Sequence, residues 1–144
     1  MTGRRSILKA TSPALLAAFI VSIVLRGVAG ALASDSAQET AWTIVWELPG
    51  AVVTAWAGWL VCRRGAGGIL RAGLGGVMAF FVDHPVGTSL VILITSLFND
   101  SAPTLMAIGG VIVSFVIFAP FAFAAGIVGG MVANLRATGH AADT

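Results

Sequence analysis

Apolar positions in this chain come in long unbroken runs, not in the alternation of a strand or the half-and-half stripe of a water-facing helix. A helix needs roughly 20 apolar residues to cross the hydrocarbon core of a bilayer. Stretches near residues 13–33, 41–62, 68–98 and 103–134 meet that length. Polar linkers separate them: SDSAQET (Ser34 to Thr40), RRGAGG (Arg63 to Gly68) and NDSAPT (Asn99 to Thr104). Ser12 is the expected N-cap of the first span, with Pro13 at the first helical position, where a missing N–H is harmless. The pattern predicts an all-α membrane protein, a four-transmembrane-helix bundle. A basic N-terminal segment (1–12) precedes it and a tail (135–144) follows it. There is no internal repeat and no soluble domain.

The third run is too long for an upright crossing, at about 46 Å if wholly helical. Pro85 lies within it and removes the hydrogen bond to the Phe81 carbonyl. The third helix is therefore expected to be kinked or broken at Pro85, with a re-entrant pair of half-helices as the alternative. The fourth run is similarly long and is expected to bend at Pro120. Pro49 falls inside the second run, which is too short to cross if it begins there, so that helix is expected to run through the proline and to kink there, close to the charged positions.

Helical spacing separates bulky from small faces. In the second span Trp42, Trp46 and Trp56 gather on one side, while Glu47, Ala51, Thr54 and Gly58 follow i, i+4, i+7, i+11 on the other. Ala18, Ser22, Arg26 and Gly30 repeat the small pattern in the first span. Ala72, Gly76, Asp83 and Gly87 do so in the third, and Ala122, Gly126, Gly130 and Asn134 in the fourth. Small residues let helix backbones approach closely in lipid, where packing replaces the hydrophobic drive. Ala51, Thr54, Gly58, Gly76, Gly126 and Gly130 are thus the expected packing positions. Trp42 and Trp59 mark the two membrane interfaces, about 26 Å apart along the helix.

Composition agrees: hydrophobic residues make up 58% and charged residues 10% of the 144 positions, against about 25% charged in soluble domains. Charge also orients the chain. Arg4, Arg5 and Lys9 precede the first span, Arg63, Arg64 and Arg71 lie between the second and third, and Arg136 follows the fourth. The other linkers hold Asp35, Glu39 and Asp100 and no basic residue. Basic loops stay cytoplasmic, so both termini are expected inside a cell or viral membrane. GRRSILK followed by Ala31-Leu32-Ala33 also resembles a twin-arginine export signal with a cleavage site. Arg26 interrupts that apolar run and favours a basic cytoplasmic anchor.

Four ionisable side chains fall deep within the apolar runs: Arg26, Glu47, Asp83 and His84. At 1.5 Å per residue Arg26, Glu47 and Asp83 each lie about 20 to 22 Å above the inner boundary. His84 adjoins Asp83. A lone charge at mid-bilayer costs about 2.5 kcal/mol or more, so such groups pair or face water. Arg26, Glu47, Asp83 and His84 are the candidate intramembrane layer, either a polar network that fixes helix register or an ion pathway.

A net charge of +2 with scattered basic residues argues against nucleic acid. Two histidines and the single Cys62 supply no metal or haem constellation, and no catalytic motif is present. No cofactor and no enzymatic activity are expected. The expected partners are the lipid bilayer and other membrane-protein subunits, or further copies of the chain itself. The leading expectation is a non-enzymatic structural or assembly subunit, and the second is an oligomeric proton or cation channel or transporter.

Overall fold

A computed structural model describes residues 6–32, 36–98 and 105–142, with side chains described over 6–25, 48–98 and 109–136. Regular structure among them is entirely helical: α1 (Ile7–Leu32), α2 (Ser36–Arg63), α3 (Ile69–Phe81), a π-helix (Val82–Gly87), α4 (Thr88–Phe98) and α5 (Leu105–Ala142). Three helical stretches in the described part are long and apolar enough to cross a membrane: Ile7–Leu25, Ile69–Phe98 and Gly109–Arg136. α2 and α3 form the centre, with α1 packed along one side of the pair and α5 along the other.

α1 begins earlier than the sequence suggested. Ser6, not Ser12, caps it: Ser6 Oγ accepts the Lys9 N–H at 3.3 Å, the usual N-cap to N3 bond. Pro13 therefore sits inside the helix and leaves the Lys9 carbonyl without its i+4 donor. Two side chains fill in. Ser12 Oγ donates to that carbonyl at 3.1 Å. Arg64 Nη1, from the far end of α2, donates to the carbonyls of Ala10 at 3.1 Å and Lys9 at 3.5 Å.

The RRGAGG linker is a helix C-cap. Gly65 takes the left-handed φ of +66° that suits glycine. The Ala66 N–H donates to the Val61 carbonyl at 3.0 Å and the Gly65 N–H to the Cys62 carbonyl at 3.1 Å, the two bonds of a Schellman motif. Ala66 packs with Val61, Ala10 and Ala72 in a small buried cluster. Arg71 Nη1 closes the corner on the Ala66 carbonyl at 3.0 Å.

Other boundaries also shift. α2 takes in Ser36 to Thr40, assigned above to a linker, and runs through Pro49. α5 runs through Pro120 to Ala142, so most of the tail assigned to 135–144 is helical. The NDSAPT linker, and Ser34 and Asp35 of the first polar linker, lie outside the described residues. Helical structure is continuous from Ile69 to Phe98. The chain does not turn back at Asp83-His84-Pro85; it widens there into the π-helix.

Candidate functional site

The helices meet through absent side chains. A β-carbon on Gly58 of α2 would run into the Gly126 carbonyl of α5. One on Gly126 would meet the backbone of Ala72, Gly73 and Gly76 in α3, and one on Gly76 would meet the Ala122 carbonyl. One on Gly129 would meet the Ala55 carbonyl, and one on Gly130 would press on Ala72 and Cys62 Sγ. Backbone thus touches backbone among α2, α3 and α5, with Gly126 at the crossing. Of the expected packing positions, Gly58, Gly76, Gly126, Gly130 and Thr54 are buried. Ala51 is exposed. The face of α2 that packs runs through Gly50, Val53, Thr54, Ala57 and Gly58, so Ala51 falls one position off it, onto the rim of a groove shared with Phe121 and Ala122. Asn134, at the end of the α5 stripe, is also exposed.

Above this seam lies the π-helix. A proline in an α-helix clashes with the i−4 carbonyl; a π-turn is a way to absorb such an interruption without ending the helix. Asp83 is 4% exposed. Its backbone carbonyl accepts a hydrogen bond from Ser22 Oγ of α1 at 2.7 Å. Its carboxylate lies against α2 at Gly50, where an added β-carbon would come within 2.9 Å of Oδ2. Thr54 Oγ1 donates to the Gly50 carbonyl at 2.7 Å, fixing that turn of α2. The π-helix is therefore gripped from two sides, by a hydroxyl on its backbone and by a glycine that makes room for its acid.

His84 faces a different neighbour. Its Nε2 lies 3.1 Å from Ser114 Oγ of α5 and, depending on tautomer, donates or accepts. Its ring stacks on Phe80, with centroids 5.3 Å apart and planes 3° apart, and Phe80 stacks in turn near Phe115 at 5.7 Å. Adjacent in sequence, Asp83 meets α1 through its backbone carbonyl and α2 through its carboxylate, while the His84 ring meets α5. The side chains of Arg26 and Glu47 lie outside the described residues, so the expected four-membered layer is described only at Asp83 and His84.

No protein-family model, curated protein or solved structure matches this chain. Function has to be argued from the geometry. Ser22, Gly50 and Ser114 join the site, although none stood among the expected layer residues. Ser114 carried a signal: it is the one hydrogen-bonding side chain between Gly109 and Ala133. Gly50 carried none, because a proline–glycine pair reads as a helix breaker. Among the described residues no group of three His, Cys, Asp or Glu could hold a metal ion.

Proposed function

We propose that this is a four-span membrane protein with both termini on the cytoplasmic side. It serves as a non-enzymatic structural or assembly subunit of a larger membrane complex or of a homo-oligomer. α2, at 28 residues, supplies the fourth crossing. What carries the proposal is the glycine seam: at its crossing α2, α3 and α5 are in backbone contact, which leaves no room for water there and makes a rigid, small-residue interior. Asp83 belongs to the same design as a buried polar node between helices. Arg26 lies one helical turn beyond Ser22, and Glu47 three residues before Gly50. Those positions suit them to meet Asp83.

One feature favours the second reading, a proton or cation pathway. A buried carboxylate in a widened helix, with an imidazole beside it, is a common way to build an intramembrane ion site. The two readings separate in reconstituted vesicles. As a structural subunit, the wild type carries no pH-dependent flux, Asp83→Asn unfolds more easily by about 1 kcal/mol, and Gly126→Leu fails to assemble. A pH-dependent flux in the wild type, abolished by Asp83→Asn with the fold intact, would replace the structural reading with the pathway.

A further inference from the structure

At the base of the bundle, the first turn of α1 contributes both to a group of positive charges and to an apolar groove. Lys9 and Arg64 are exposed, and Arg64 reaches the Lys9 and Ala10 carbonyls, so two cations 55 residues apart in the chain share one corner. Arg63 stands next to them, its guanidinium 5.3 Å from the Trp59 ring centroid. None of these cations pairs with a carboxylate among the described residues. Asp83, the acid with a described side chain, is buried in the π-helix beyond α3. Arg64 has five N–H donors to offer, of which Nη1 serves the two carbonyls.

One residue before Lys9 in the chain, Leu8 is 58% exposed and lines one end of a groove of about 330 Å³. Leu8 and Leu15 of α1, Val77, Met78 and Phe81 of α3, and Phe115 of α5 line it. It follows α1 for about 10 Å from Leu8 to Leu15. The candidate span of α1 begins at Ile7, and Lys9, Thr11 and Ser12 stand in its first turns, which sets Lys9 and Arg64 at the level where headgroups sit.

We infer that this corner is a binding site for an anionic phospholipid, with the headgroup phosphate on Lys9 and Arg64 and an acyl chain in the groove. The inference rests on the membrane reading above. Charge complementarity selects the ligand: a zwitterionic lipid gains little from two uncompensated cations, whereas each basic residue attracts an anionic surface by about fivefold in affinity.

The full chain, purified in mild detergent, is examined by native mass spectrometry after mixing with phosphatidylglycerol, with phosphatidylcholine or with inorganic phosphate. The expected result is retained phosphatidylglycerol in preference to phosphatidylcholine. Lys9→Gln, which removes no hydrogen bond of the fold, lowers that preference about fivefold, and Lys9→Gln/Arg64→Gln lowers it further. Val77→Trp, filling the groove, reduces retention of both lipids. Arg136→Gln, an equal charge change in the last two turns of α5, leaves retention unaltered. Equal retention of the two lipids, or no change in Lys9→Gln, overturns the proposal. So does inorganic phosphate displacing the lipid, which marks a simple anion site, or a wild-type dimer lost in Val77→Trp, which marks a groove filled by a second copy. A chain that stays soluble without detergent would instead defeat the membrane reading on which the site depends.

Discussion

At the scale of single residues, the contact between Gly50 and Asp83 states how the bundle tolerates an acid. The carboxylate fits because α2 offers no side chain at that point. Gly50→Ala would place a methyl 2.9 Å from Oδ2, and overpacking of this kind typically costs about 1 to 3 kcal/mol. The penalty belongs to the pair, so it should largely vanish in an Asp83→Ala background. A double-mutant cycle on unfolding in detergent measures this. An equal loss in both backgrounds would mean that Gly50 is needed for reasons unrelated to the acid. The pair also marks a limit of sequence reading. Asp83 stood out because an acid in an apolar run must have company. Gly50 did not, because glycine acquires meaning only from what approaches it.

At the scale of elements, Gly58, Gly76, Gly126 and Gly130 of the small-residue stripes are buried while Ala51 and Asn134 are exposed, and α1, α2 and α5 each extend beyond the bounds expected from the sequence. Ala72, Gly76, Asp83 and Gly87 share a buried face, as helical spacing suggested, and they share it across the π-helix. The start of α1 was misplaced because Pro13 looked like a first residue; a hydroxyl from Ser12 and a guanidinium from Arg64, 51 positions along the chain, make it tolerable inside the helix. No local pattern announces a partner that distant. Pro85 raises the converse question, whether the proline or the surrounding packing holds the wide turn. If the proline does, Pro85→Ala restores an N–H that can reach the Phe81 carbonyl, and the π-helix reverts to α. One residue of register is about 100° of rotation, so α4 would turn against a fixed α3. α4 has no buried residue to resist this, whereas α3 is locked into α5 by Gly76 and Gly126. Single cysteines at Leu93, Ile94 and Thr95, labelled with a lipid-soluble probe, should show their exposure pattern moved by one position in Pro85→Ala. An unchanged pattern assigns the turn to Ser22, Asp83 and their contacts instead.

At the scale of the whole molecule, the number of crossings governs which side every charge occupies. Three helical stretches are long and apolar enough to cross, and α2 is the element whose crossing decides the rest. Suppose the N-terminus lies inside. With α2 crossing, the corner at Gly68 is inside, the linker at Ser101 outside and the end of α5 inside. With α2 lying along the surface, all three positions invert, and Arg63, Arg64, Arg71 and Arg136 would stand outside, against the tendency of basic loops to remain cytoplasmic. The experiment needs three thiols. In a Cys62→Ser background, which removes the single native cysteine, Gly68→Cys adds a side chain where nothing lies within 4 Å. Ser101→Cys and Ala141→Cys report on the linker before α5 and on its last turn. An impermeant maleimide applied to intact cells should modify the thiol at 101 at once, and those at 68 and 141 only after the membrane is opened. The inverse pattern would overturn this arrangement. With the N-terminus inside, it would part Arg64 from the Lys9 and Ala10 carbonyls that it reaches; with the N-terminus outside, it would turn the basic corner away from the anionic leaflet that its lipid site requires.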